Sequence, residues 1–148
     1  MPISSSLDAV LKFFGGGSEI TPEEQAQLAK EVMLMTLARA TSADTNIKAI
    51  EVTKVREVLK ERTGEDIPDA EIRVAAHSAI YERAPLDRYI SSSAKKLGWE
   101  DRLSIAQALA DVVNADGRVS DREITFYNDV AEALALTPAQ LMGLNPED

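Results

Sequence analysis

Two aspartate–glutamate pairs with the same spacing are the residues of this sequence best suited to chemistry. The first pair is Asp44 with Glu51 and the second is Asp116 with Glu123, each glutamate following its aspartate by seven residues. Ca²⁺ and Mg²⁺ prefer carboxylate and carbonyl oxygens as ligands, and the carboxyl end of a helix leaves carbonyls unpaired. Because an apolar, helix-like stretch precedes each aspartate, the pattern predicts a divalent-cation site, Ca or Mg, formed by these four carboxylates.

The same four residues also admit a purely structural interpretation. Aspartates in turns accept hydrogen bonds from nearby backbone amides, and Ser120 followed three residues later by Glu123 has the pattern of a capping box. Three residues before Glu51 the sequence has Lys48, which lacks the capping hydroxyl that Ser120 offers before Glu123. Glu51 is nevertheless retained. That retention favours a function common to both glutamates, so both interpretations stay open.

The EF-hand, a calcium-binding loop between two helices, fits the second pair poorly. When its template is laid on this stretch, Asp116, Gly117 and Glu123 fall at loop positions 5, 6 and 12. Position 1 would then be Val112, which offers no carboxylate and belongs to an apolar helix. We therefore expect an ordinary helix exit here, with Gly117 at positive φ.

No catalytic motif is recognisable in the sequence. It contains no phosphate-binding loop, no Gly-x-Ser-x-Gly elbow, no His-Glu-x-x-His and no cysteine. Its one histidine, His77, falls off the apolar stripe of the helix predicted around it and is expected to be a surface residue. We expect a protein that is not an enzyme, with an unrecognised hydrolase as the alternative that a substrate panel would detect.

The composition narrows the class of partner. The chain of 148 residues has the length of one domain, and its net charge of −9 argues against a nucleic-acid partner, which needs a basic surface. The absence of cysteine excludes disulfides and cysteine-ligated zinc. No apolar run is long enough to cross a bilayer, so we expect a cytoplasmic protein without direct membrane insertion.

Helical periodicity accounts for nearly the whole chain, and no stretch alternates with a period of two. Two stretches, 21–42 and 103–114, are apolar nearly all round, which predicts two central buried helices. Thr21 and Thr137, each followed by proline, mark helix starts. The result is a predicted all-α, single-domain bundle of seven to eight helices. The other predicted helices of the bundle cover about 48–62, 68–83, 86–97, 121–135 and 137–142.

Residues 1–20 are predicted to form a short helix and a glycine-rich joint in front of the main domain, 21–148. Apolar residues at positions 7, 10, 11 and 14 have helical spacing, and three consecutive glycines follow at 15–17. We expect this helix to pack on the bundle. Insertion into a membrane surface is the alternative, but a single lysine, Lys12, gives little attraction to anionic lipid.

The two acidic pairs belong to a longer internal similarity. A shift of 72 residues lays Asp44 on Asp116 and Glu51 on Glu123, and six of the 17 aligned positions around them are identical. Each copy comprises a buried helix, an acidic turn and an amphipathic helix. We expect a pseudo-two-fold arrangement that sets the two buried helices side by side. The two copies cover about 25–62 and 97–134.

Over these stretches the sequence resembles the TerB family, small all-helical proteins associated with tellurite resistance. The resemblance is carried by Ala-Asp-Gly-Arg-Val-Ser-Asp-Arg-Glu at 115–123, by the stretch 131–138 that ends in Leu-Thr-Pro, and by the earlier echo around Asp44 and Glu51. It covers about residues 25–143. The first copy departs from the second in having Thr and Lys in place of glycine and serine, so its turn is expected to bind a cation less well.

The resemblance implies a helical fold, a suspected divalent-cation site in the acidic turns, and partners among other tellurite-resistance proteins, some of them membrane-bound. Together with the lack of catalytic motifs, it leads us to expect a non-enzymatic module of tellurite or metal-stress resistance. The alternative function is a metal-free protein–protein interaction domain, in which the four carboxylates form a patch that partners recognise.

Overall fold

Seven helices and no strand make up the residues that the structure describes. The structure is a computed structural model, and it describes residues 20–42, 50–77, 85–115 and 117–144. The all-α bundle predicted from the sequence is confirmed. The helices are α1 (Pro22–Ala40), α2 (Val52–Thr63), α3 (Asp69–Ala76), α4 (Leu86–Ala94), α5 (Trp99–Val113), α6 (Asp121–Ala133) and α7 (Pro138–Leu141).

Helices α1 and α5 form the centre of the bundle. Every residue from 31 to 38 in α1 is buried, and α5 buries Ile105, Ala108 and Leu109 completely. The two helices pack against each other, while α1 also contacts α2, α3 and α4, and α5 also contacts α2, α6 and α7. A helix with an apolar surface nearly all round needs neighbours on nearly every side. This requirement explains their position, and the two predicted central helices are confirmed.

The starts of α1 and α7 follow the threonine–proline pattern of the sequence. The Thr21 hydroxyl accepts a hydrogen bond from the Glu24 amide at 3.1 Å, and the Glu24 carboxylate accepts one from the Thr21 amide at 3.0 Å. Thr137 and Gln140 repeat this arrangement at the head of α7. Each box pairs amides that a helix start would otherwise leave unpaired, so both predicted starts are confirmed.

At the start of α2 and the end of α4, the predicted helix boundary differs from the structure by three or four residues. α2 begins at Val52, later than the expected position near 48, and Glu51 before it has extended backbone. α4 ends at Ala94, short of the expected 97, because the amides of Lys96 and Leu97 close tight turns on the carbonyls of Ser93 and Ala94. Gly98 is then extended and directly precedes α5, which begins at Trp99. In the sequence, the helical spacing of apolar residues continues through these turns. Only the backbone hydrogen bonds show where the helices begin and end.

Several expectations fall at or beyond the limits of the described residues. α3 ends at Ala76, and His77 after it is exposed, as expected for a surface residue. The rest of the helix predicted to reach 83, the predicted helix at 7–14 and the glycines at 15–17 lie outside the described residues. None of the described helices is both long and apolar enough to cross a bilayer.

Helix α2, which begins directly after Glu51, is joined to its neighbours by two arginines. The Arg56 guanidinium donates to both carboxylate oxygens of Asp66, at 2.7 and 3.0 Å, and to Asp69 at the head of α3. This pairing holds the pKa of Asp66 below its usual range. Arg62 reaches Asp111 of α5 at 2.7 Å. These contacts orient α2 on the α1–α5 core.

The internal repeat stays a hypothesis. In keeping with it, α1 lies beside α5, α2 packs on α1, and α6 packs on α5. However, α2 also packs on α5, whereas within the described residues α6 makes no comparable contact with α1 and packs on α4 instead. The two amphipathic helices therefore have different neighbours, which a strict two-fold would not produce.

Ala135, two residues after the end of α6, has an unusual conformation, with a φ of 57°. The Leu136 amide donates to the Ala131 carbonyl and the Ala135 amide to that of Glu132, which is the Schellman pattern. Arg102 of α5 donates to the carbonyls of Leu134 and Ala135 at 2.9 and 3.2 Å. These bonds hold alanine in a left-handed position that glycine normally occupies.

We predict that Ala135→Gly stabilises the protein by about 1 kcal/mol, because glycine has no Cβ to oppose the left-handed conformation. Urea unfolding followed by circular dichroism would measure the change. The matched control is Ala26→Gly at an exposed, right-handed position inside α1. That change should cost roughly 0.5–1 kcal/mol. If both substitutions destabilise the protein to the same extent, Ala135 is not strained.

Candidate functional site

The structure describes two of the four candidate cation ligands. Glu51 and Glu123 lie at the heads of α2 and α6, whereas Asp44 and Asp116 lie outside the described residues. The local surroundings of each glutamate are defined, and they differ.

Glu123 is the third residue of α6 and is almost fully buried, with 7% of its surface exposed. Its Oε1 accepts a hydrogen bond from the Ser120 amide at 2.9 Å, and the Ser120 hydroxyl accepts one from the Glu123 amide at 3.2 Å. The amino end of a helix carries partial positive charge, which favours a carboxylate at this position. The capping box predicted for Ser120 and Glu123 is confirmed.

Glu51 directly precedes α2 and is exposed. Its φ and ψ are −92° and 145°, and its side chain makes no capping hydrogen bond with the helix. Counted from the aspartate of each pair, α2 thus begins three residues later than α6 does. The two glutamates align in the sequence, but only Glu123 acts as a capping residue.

The turn from α5 to α6 contains the described residues around Asp116, the aspartate of the second pair. Asn114 follows the last residue of α5, and its carbonyl accepts a hydrogen bond from the Gly117 amide at 3.0 Å. Gly117 has a φ of 77°, which confirms the expected left-handed position. The described residues from 114 to 122 are all exposed. The turn therefore presents the carboxyl end of α5 to solvent beside the buried Glu123.

No group of three or more histidine, aspartate, glutamate or cysteine side chains that could hold a metal ion occurs among the described residues. Both aspartates of the predicted site lie outside those residues. The four-carboxylate cation site accordingly stays a prediction.

A groove between α4 and α6 is a feature that sequence reasoning missed. Its apolar floor and walls come from Leu86 and Ile90 of α4 and from Phe126, Val130 and Ala133 of α6, and its volume is about 580 Å³. Ile90 and Val130 are buried, while Leu86 and Phe126 are only half-buried. We call this feature the α4–α6 groove.

The rim of the α4–α6 groove is acidic. Asp87 of α4 and Asp129 and Glu132 of α6 line it and are exposed. None of the described residues that line the groove is basic, and no ion pair with a described residue is recorded for these three carboxylates. The groove thus combines an apolar interior with carboxylates that form no ion pair with the described part of the chain.

These features define a helical-bundle protein with an exposed turn between α5 and α6 and an acidic-rimmed groove between α4 and α6. The family of the tellurite resistance protein TerB matches residues 30–145 of the chain. Because the match covers most of the sequence, the chain belongs to the TerB family. Comparison with curated proteins and with solved structures found no match.

We predict that the two aligned glutamates contribute unequally to stability. Glu123→Ala should cost about 1–2 kcal/mol, because it removes a buried capping interaction. Glu51→Ala should stay within about 0.5 kcal/mol, as expected of an exposed residue without a cap. Chemical unfolding of the two variants in metal-free buffer measures both values. If the two substitutions lower the free energy of unfolding equally, the capping interaction of Glu123 does not distinguish it from Glu51.

Proposed function

We propose that this TerB-family protein is a non-enzymatic module of tellurite and metal-stress resistance whose acidic turns bind a divalent cation, Ca or Mg. Membership of a family described by tellurite resistance supports the first part of the proposal. In this proposal the protein acts in the cytoplasm and its partners are other tellurite-resistance proteins, some of them membrane-bound. The cation ligands are Asp44, Glu51, Asp116 and Glu123.

The observation that carries the cation proposal is the geometry of the α5–α6 turn. The turn is exposed and lies at the carboxyl end of a buried helix, where the carbonyls of Val112 and Asn114 accept the amides of Ala115 and Gly117 and keep a second lone pair each. In the sequence Asp116 directly precedes Gly117, whose left-handed conformation reverses the chain toward Glu123. Carbonyl and carboxylate oxygens gathered in a turn are the donor set that hard divalent cations prefer.

Charge supports the same conclusion. The protein has a net charge of −9, and clustered carboxylates repel one another in the folded state. A bound divalent ion would remove part of this repulsion.

A metal-free interaction domain is the second candidate function, and two observations favour it. Glu123 already has a structural role, because its carboxylate accepts the Ser120 amide. The α4–α6 groove also offers a surface suited to a protein partner. In this alternative the carboxylates of the turns act as a patch for recognition rather than as cation ligands.

We predict that Ca²⁺ or Mg²⁺ raises the melting temperature of the protein. A ligand that binds only the folded state stabilises it by about 2.7 kcal/mol when present at about 100 times its dissociation constant. Differential scanning calorimetry over a titration of each ion would show a rise that follows the logarithm of ion concentration. Asp116→Asn should weaken this response more than Asp44→Asn, since the second turn has the better-formed exit at Gly117.

Sodium chloride at matched ionic strength is the control for general screening of charge. Sodium chloride should raise the melting temperature less than the divalent ions do, and by the same amount in the two variants and the parent protein. If both variants respond to Ca²⁺ and Mg²⁺ as the parent does, the turns are structural and the metal-free interaction domain is the better description.

A further inference from the structure

We propose that the α4–α6 groove binds an amphipathic helical segment of a partner protein, with an apolar stripe flanked by lysine or arginine. Of the four carboxylates of the acidic turns, the two that the structure describes, Glu51 and Glu123, do not line the groove. The proposal therefore does not depend on cation binding, and either can fail without the other.

The shape of the groove favours a helix as its occupant. Leu86 and Ile90 are one turn apart on α4, and Phe126, Val130 and Ala133 recur at helical spacing on α6. Two apolar rows on neighbouring helices form a trough that can accept side chains spaced i, i+3, i+4 and i+7 on a third helix. The half-buried ring of Phe126 would lose its remaining exposure to water in such a complex.

The charge of the rim favours a basic occupant. Asp87, Asp129 and Glu132 surround the apolar trough without a basic neighbour among its described lining residues. Lysine or arginine beside the apolar stripe of a partner would neutralise these carboxylates and accelerate association. A second copy of this chain is a poor occupant, because each copy has a net charge of −9 and would bring the same acidic rim to the interface.

The test uses fluorescence anisotropy with the full-length protein and a labelled synthetic leucine/lysine peptide of about 14 residues, which forms about four helical turns. The control peptide has the same leucine positions with glutamate in place of lysine. We expect the lysine peptide to bind and the glutamate peptide not to bind. We also expect Asp129→Asn/Glu132→Gln to weaken binding about tenfold at low salt, and Phe126→Ala to weaken it at least about tenfold.

A matched pair of substitutions separates specific docking from general attraction to an acidic protein. Glu57→Gln/Glu61→Gln removes the same number of charges from exposed positions of α2, which packs on α1, α3 and α5 and lies outside the groove. This pair should leave peptide affinity nearly unchanged. The proposal is overturned if the α2 pair weakens binding as much as the α6 pair does, or if the glutamate peptide binds equally well.

Two further outcomes would assign the groove to another occupant. Dimerisation of the protein in sedimentation experiments, abolished by Phe126→Ala and not competed by the peptide, would identify a second copy. Peptide binding that appears only after Leu11→Ser/Phe14→Ser would identify the chain's own residues 7–14 as the occupant. Either result would overturn the proposal of a basic partner.

Discussion

The burial of α1 against α5 is the constraint on which the rest of the structure depends. These two helices have apolar residues on nearly every side, and every other described helix packs on at least one of them. Aromatic residues contribute little to this core, in which Tyr89 is the one fully buried aromatic side chain among the described residues. Small and aliphatic residues such as Ala38, Ala106 and Leu109 fill it instead, so close packing has to supply the stability.

Once the central pair is formed, the position of the α5–α6 turn follows from where α5 ends. The carboxyl end of α5 lies at the surface, and Gly117 reverses the chain so that α6 can pack beside α5. Ser120 and Glu123 complete the start of α6 by pairing its first amides. Both functional candidates meet on this helix: Glu123 lies at its head, whereas Phe126 and Asp129 face the α4–α6 groove.

Much of this architecture could be predicted because its causes are local. The central helices are visible as long apolar stretches, and hydroxyl caps at Thr21, Ser120 and Thr137 depend on residues only three positions apart. The difference between Glu51 and Glu123 was also partly visible, since Lys48 cannot supply the hydroxyl of Ser120. What the sequence did not show is that α2 begins directly after Glu51 and leaves it outside the helix.

The α4–α6 groove could not be predicted, because it results from pairing between helices. Leu86, Ile90 and Phe126 have the spacing of ordinary core residues, and a single sequence does not show which of them remain partly uncovered. Their accessibility is decided by the way α4 packs on α6. In the sequence, the carboxylates of the rim likewise resemble any other exposed charges. Only the packing of α4 on α6 shows that they surround a groove.

Native-state hydrogen exchange with and without Ca²⁺ tests most directly whether the α1–α5 pair is the most stable part of the bundle and whether the proposed cation site lies in the turn at the end of α5. We expect the amides of α1 and α5 to exchange most slowly under both conditions, since they open only with global unfolding. We also expect Ca²⁺ to slow exchange in the 117–124 segment while the amides of α4 are unaffected. Greater protection in α2 or α6 than in α1 and α5 would contradict the central position of this pair, and no local effect of Ca²⁺ on 117–124 would contradict the proposed cation site.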